Sequence, residues 1–194
     1  MVKVWIFLIL HFLIISIPFS PVHSYTPKDP KSVEKWFDNL PVSKQKLTKL
    51  RFFYHDNVSG KNPSTVPVAQ PNTSTFQSQT NFGQVEVIDG PLTVGPEPGS
   101  KIVGRAQGIY TFASLEEIGL LMSFNFVFTN GKFNGSTLSV LGHNPVFHKY
   151  REMPVVGGSG VFRLARGIAT TRTVWFNATT VDAVAEYHVI VLHY

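Results

Sequence analysis

Beyond Leu47 the chain has almost no 3.6-residue apolar period; it breaks instead into short, strand-like runs separated by turn residues. That pattern confines it to antiparallel β architectures. The runs are Leu47 to Asp56, Thr65 to Gln70, Phe82 to Ile88, Lys101 to Ser114, Leu120 to Thr129, Ser136 to Leu141, Arg151 to Val156, Val161 to Thr173 and Ala183 to His193. Asp89-Gly90-Pro91 reads as the turn closing the third run. Asn130-Gly131 reads as a hairpin turn that Lys132 to Gly135 can lengthen, and Gly157-Gly158-Ser159-Gly160 as a flexible turn. Eight or nine strands at this spacing fit a sandwich or a barrel. The chain ends in a good strand, and closing the sheet would remove its exposed edges. About eight strands make a barrel just wide enough for a small ligand. Pattern alone leaves the sandwich open.

Two strands raise the question of what fills the interior. In the first run, Leu50, Phe52 and Tyr54 alternate onto one face, and Asp56 falls on that same face. Either the strand has ended and Asp56 caps an Asx-turn, or an aromatic wall carries a pocket acid. In Lys101 to Ser114 one face reads Ile102, Gly104, Ala106, Gly108, Tyr110 and Phe112. If this face points inward, a cavity lies beside Tyr110. If it points outward, the glycines are barrel kinks and Arg105 and Gln107 face in.

The ends of the chain speak to compartment. Lys3 precedes an apolar run from Val4 to Ile17, Pro18 breaks it, and Val22-His23-Ser24 offers small residues for cleavage. Residues 1–24 are therefore expected to be a secretory signal peptide. A membrane anchor is not expected, because the run is short of the ~20 residues that span a bilayer and contains His11. Residues 25–46 form a basic lead-in, either disordered or a short helix, and 47–194 form one domain. The absence of cysteine excludes disulfides and thiol chemistry. Sequons at Asn57, Asn72, Asn134 and Asn177 fall between apolar runs and are candidate glycosylation sites.

The net charge of +5 does not indicate nucleic acid. Its excess sits ahead of Phe52, where Lys28, Lys31, Lys35, Lys44, Lys46, Lys49 and Arg51 outnumber Asp29, Glu34 and Asp38, and charges cancel from Phe52 onward. A nucleic-acid binder carries that excess on its folded face. Serine-hydrolase chemistry lacks a GxSxG, and the histidines, His55, His143, His148, His188 and His193 among them, show no HExxH spacing. No metal or cofactor is expected. What remains is a set of polar groups near aromatic strands: Asp56, Asp89, Tyr110, Asn144 and Arg151. Asp89 is expected to cap its turn, and Arg151 with Glu152 can be a surface pair.

Several segments in order carry a resemblance: Phe53-Tyr54-His55-Asp56; Asp89-Gly90-Pro91-Leu92-Thr93-Val94-Gly95-Pro96; Val103-Gly104-Arg105-Ala106-Gln107-Gly108-Ile109-Tyr110; Phe133-Asn134-Gly135-Ser136; and Arg151-Glu152-Met153-Pro154-Val155-Val156-Gly157-Gly158. From about Phe52 to its end the chain resembles the plant dirigent proteins. The resemblance implies an eight-stranded antiparallel β-barrel with a central pocket, secreted to the apoplast and assembled as a homo-oligomer, a dimer or trimer. It implies a phenolic substrate and a separate oxidase, a laccase or peroxidase, that makes phenoxy radicals whose coupling to a lignan the barrel steers by orientation. Asp56, Tyr110 and Arg151 match the family's catalytic acid, tyrosine and arginine, with Asn144, Phe52 and Tyr54 in substrate contact. One departure stands out. Lignan-forming members carry a second aspartate where this chain has Asn144, and an amide cannot exchange a proton. The Asn-Pro and REMPVVGG pattern is similar to a subgroup that includes pterocarpan synthases, which dehydrate an isoflavanol through a quinone methide. A silent phenolic-binding protein that aids wall lignification is a third expectation.

Overall fold

A computed structural model describes residues 26–72 and 78–194. The segment expected to be a signal peptide and part of the Asn72 sequon lie outside the described residues. A helix α1 (Pro30–Asp38) and a 3-10 turn (Leu40–Val42) precede nine strands: β1 (Lys46–Asp56), β2 (Thr65–Ala69), β3 (Val85–Thr93), β4 (Ile102–Phe112), β5 (Gly119–Phe128), β6 (Thr137–Pro145), β7 (Arg151–Ser159), β8 (Arg166–Phe176) and β9 (Ala183–His193). The lead-in thus forms a helix, capped by the Asp29 carboxylate, which accepts from the Ser32 N–H at 3.0 Å. Lys28 Nζ donates to the Gly135 carbonyl at 2.6 Å, and the Arg163 guanidinium lies over Trp36, 5.4 Å from the ring centroid. These contacts tie the lead-in to one end of the sheet. No helix among the described residues is long and apolar enough to cross a membrane.

The strands run β1-β9-β8-β7-β6-β5-β4-β3-β2, and β1 also pairs with β3. That extra pairing closes β1 and β3 to β9 into an eight-stranded antiparallel barrel and leaves β2 outside the ring. Closure decides between barrel and sandwich. The seam is short, with Phe53 opposite Thr93 and Tyr54 opposite Leu92. Beyond it, β2 takes over the edge of β3, with Thr65 opposite Ile88. A bond of 2.8 Å between His55 Nε2 and Thr93 Oγ1 holds the crossing.

The seam explains a correction. Asp89-Gly90-Pro91 is no turn; β3 runs straight through it to Thr93. A Cβ at Gly90 would stand 2.4 Å from the Tyr54 ring and 2.7 Å from the His55 carbonyl, so glycine is what lets β1 cross β3 there. Pro91 follows at the point where β3 exchanges one edge partner for another, a place where a missing N–H is tolerated. Asp89 caps nothing; its carboxylate accepts from Arg105 Nε, and from Gln107 Nε2 at 3.1 Å, on the outer face of β4. With Arg105 and Gln107 outside, the Gly104, Ala106 and Tyr110 face points inward. Its glycines do not empty the interior. A Cβ at Gly108 would lie 2.4 Å from the Ser123 carbonyl, so that glycine serves the close approach of β5.

Three further boundaries move. β6 continues through Asn144-Pro145, so Asn144 sits on a strand and not in a loop. β7 continues through Gly157-Gly158-Ser159, and the turn falls on the 3-10 segment Gly160–Phe162, so β8 begins at Arg166. The Asn130-Gly131 hairpin is lengthened by the 3-10 segment Gly131–Phe133.

Aromatic rings fill half of the barrel. Phe52 packs edge-on against Phe126 at 4.8 Å and Phe126 edge-on against Tyr187 at 5.2 Å, while Phe133 lies tilted against Phe162 at 4.8 Å. Such pairs add about 0.5–1.5 kcal/mol each beyond area burial. The inward face of β9 shows why only half is filled. It reads Ala183, Ala185, Tyr187, Val189, Val191: small at one end, large and buried toward the other.

Candidate functional site

The unfilled half is a cavity of about 550 Å³, opening at the end of the barrel where β1, β4, β6 and β8 finish and β3, β5, β7 and β9 begin. Leu120 and Met122 of β5, Phe112 of β4 and Val146 give it apolar walls. Phe147 and Phe176, ring centroids 6.3 Å apart, stand at the cavity as largely exposed side chains.

Its polar groups divide between two walls. On one, β1 brings Tyr54 and Asp56, β3 brings Glu86 and β4 brings Tyr110. The strand does carry Asp56 inward, in phase with Phe52 and Tyr54, so the aromatic stripe ends in a cavity acid and not in a turn cap. Asp56 Oδ1 accepts from the Thr65 hydroxyl of β2, and from the Tyr54 hydroxyl at 3.3 Å. Burial pushes the Asp56 carboxyl up, the Thr65 and Tyr54 hydroxyls pull it partly back, and the negative charges of Glu86 and Asp182 add to the rise. Burial also pushes up the Tyr110 hydroxyl, reinforced by Asp56 and Glu86.

On the other wall, β6 brings Asn144 and β7 brings Arg151, each 5% exposed. Arg151 Nε donates to Asn144 Oδ1 at 3.0 Å, and its Nη1 to the His148 carbonyl at 3.4 Å. Both acceptors are neutral. Arg151 is therefore held in place without being neutralised, and it forms no ion pair among the described residues. Burial lowers its pKa below the ordinary guanidinium value, with Tyr187 opposing. Between the walls lies Tyr187 of β9, pushed up to about 12 by burial against the pull of Arg151.

Of the residues singled out from sequence, Asp56, Tyr110, Arg151, Asn144 and Tyr54 line this one cavity. Phe52 does not; it is packed beneath the floor, stacked on Tyr187 at 6.0 Å. Glu86 and Tyr187 escaped the sequence reading. Glu86 had a signal, since it alternates in phase with Ile88 and Leu92 on an apolar face. The Asn57 and Asn72 side chains are exposed, whereas Asn134 and Asn177 are half-buried.

A closed eight-stranded barrel with a half-open cavity, carboxyls on one wall and a buried arginine on the other, has the form of a small-molecule pocket. Residues 47–192 match the family model described as Dirigent-like protein, and the chain belongs to the dirigent family. It is 54% identical over 148 residues to Dirigent protein 21 of Arabidopsis thaliana, covering 76% of this chain and 78% of that protein. To Pterocarpan synthase 1 of Glycine max it is 51% identical over 156 residues, covering 80% and 83%. Among solved structures, the pterocarpan synthase dirigent protein GePTS1 superposes with a TM-score of 0.73 at 48% identity, covering 78% of this chain and 87% of that one. The pterocarpan synthase dirigent protein PsPTS1 does so with a TM-score of 0.72 at 49% identity, covering 77% and 96%.

Proposed function

We propose that the cavity binds a phenolic substrate and closes a ring on its quinone methide, a dehydrating cyclisation of the pterocarpan-synthase type. The observation that carries this reading is that Asp56 and Arg151 line one cavity without neutralising each other. Asp56, whose carboxyl is pushed up by burial, donates its proton to the leaving hydroxyl of an isoflavanol, and water departs as the C–O bond breaks. The substrate's phenol loses its proton to solvent, giving the quinone methide. A second hydroxyl then attacks the methide carbon and returns a proton to the Asp56 carboxylate, while the quinone oxygen regains one. The net change is loss of one water, with no oxidant.

Negative charge gathers on the phenolic oxygen during these steps, and a fixed buried cation opposite the acid is suited to stabilise it. Asn144 supports that role where an aspartate would weaken it, because the amide orients the guanidinium and leaves its charge available. Tyr110 stays protonated and supplies a hydroxyl donor to the same ligand.

Guided coupling of oxidase-made radicals, coniferyl alcohol to a lignan, is the second reading. The size of the cavity favours it, since about 550 Å³ lies in the range of pockets that enclose ligands of several rings. In that role a laccase or peroxidase partner supplies the radicals. Secretion to the apoplast belongs to both readings and is supported by the Lys3 to Ser24 pattern and by the exposed Asn57 and Asn72. A homo-oligomer is supported by Ile168 and Ile190, cross-strand neighbours that are both exposed on the outer face of β8 and β9.

The purified secreted protein separates these readings when given an isoflavanol without oxidant, and coniferyl alcohol with and without laccase. Dehydrative turnover without oxidant is the expected result. An enantiomeric excess appearing only with laccase would replace cyclisation by coupling, and no effect in either arm would leave a binding protein.

A further inference from the structure

Glu86 is the anomalous member of the inward face of β3. Ile88 and Leu92, in phase with it, are buried and apolar. A carboxyl in that position needs partners, since a buried polar group without them opposes folding. It has half of what it needs. Oε1 accepts from the Gln84 amide, whereas Oε2 is buried and makes no hydrogen bond, alone among the buried side-chain nitrogens and oxygens of the described residues. The residue is 3% exposed and forms part of the cavity wall, with Tyr110 as its cross-strand partner on β4. Asp56 lines the same cavity.

We infer that Glu86 is a specificity-determining residue, whose free Oε2 pairs with a second hydroxyl of the phenolic ligand, additional to the one served by Asp56. The inference rests on the phenolic reading of the cavity. The Gln84 amide fixes the carboxyl so that one oxygen is committed to the protein and the other is left for the ligand. A ligand with a single hydroxyl satisfies Asp56 and leaves Oε2 unpaired. A ligand with two satisfies both. Sites built around a buried hydrogen-bonding group reject an analogue lacking the matching hydroxyl far more strongly than an apolar pocket rejects a missing methylene. The pocket is therefore selective for phenolics that carry at least two hydroxyl donors.

Calorimetric titration of coniferyl alcohol and of a dihydroxy-isoflavanol, each beside its mono-O-methyl ethers, tests this on wild type, Glu86→Leu and Glu86→Gln. In wild type, methylation of one particular hydroxyl of the bound parent is expected to weaken binding about tenfold or more, the scale of a lost hydrogen bond to a charged or buried group. Glu86→Leu should weaken the parent to the level of that ether and abolish the gap between them. Glu86→Gln, which keeps a side-chain acceptor, should retain most of it. A folded Glu86→Leu protein that keeps both the parent's affinity and the gap overturns the inference while leaving the phenolic pocket in place. Failure of wild type to bind either parent removes the phenolic reading and this inference together.

Discussion

Thr65 is the most informative single residue for the state of the cavity acid, because its hydroxyl, only 1% exposed, donates to Asp56 Oδ1 from a strand outside the barrel ring. Thr65→Val preserves shape and deletes that donor. A hydrogen bond to a charged group is worth about 1.5–3 kcal/mol, and it favours the ionised carboxylate. Losing the bond should therefore raise the already elevated Asp56 pKa further. The Tyr54 hydroxyl, at 3.3 Å, remains and compensates only weakly. Asp56 titrates higher in the folded chain than unfolded, so its contribution favours folding at acid pH and turns against it as pH rises through the folded value. The stability gap between wild type and Thr65→Val should accordingly widen with rising pH. Carbon-13 NMR titration of aspartate side chains reads the shift directly, and the high-pH limb of a pH–rate profile, where the general acid ionises, should move up with it. An Asp56 titration that stays fixed or moves down in Thr65→Val would refute the assignment of Thr65 as the group holding the carboxyl toward ionisation.

Other perturbations probe different parts of the account. Phe126→Ala, at a side chain with 0% exposure in the aromatic centre, should cost about 3–5 kcal/mol in denaturant unfolding. Gly90→Ala should cost about 1–3 kcal/mol, by forcing Tyr54 off the β1–β3 seam, with a matching change in tyrosine chemical shifts. Outside the barrel, Glu186 is opposed by burial yet held at about 2 by the hydrogen bonds of Arg51, Arg172 and His188. Its contribution should be fully present above the ordinary carboxyl range and lost only as pH falls toward 2, readable in acid unfolding of wild type against Glu186→Gln. Asn144→Asp should pair with Arg151, remove its free charge from the cavity and slow cyclisation about tenfold or more, measured as turnover of an isoflavanol.

Much of this architecture was legible in the chain, for reasons specific to each element. Strand alternation placed Phe52, Tyr54 and Asp56 on one face, and that face does point inward, because a two-residue period leaves no freedom once the aromatic side is buried. Closure was not legible. It depends on the two-pair seam at Phe53 and Tyr54, a contact between segments about forty residues apart that no local pattern announces. The turn signals misled in two places for one reason: Gly90 and Gly158 resemble turn residues, but each lies where a Cβ would strike a neighbouring strand. The cavity acid is visible in sequence, while Glu86 is hidden there, because a glutamate in a short β run reads as an outward residue until its phase with Ile88 and Leu92 is counted.

The most direct test of the central claim is the rate of isoflavanol dehydration by Asp56→Asn, measured beside wild type without oxidant and with substrate affinity determined in parallel. Removing a positioned general acid should lower turnover by about 10²–10⁴-fold while leaving affinity within a few-fold. A variant that turns over at the wild-type rate would show that Asp56 is not the proton donor, whatever the cavity binds.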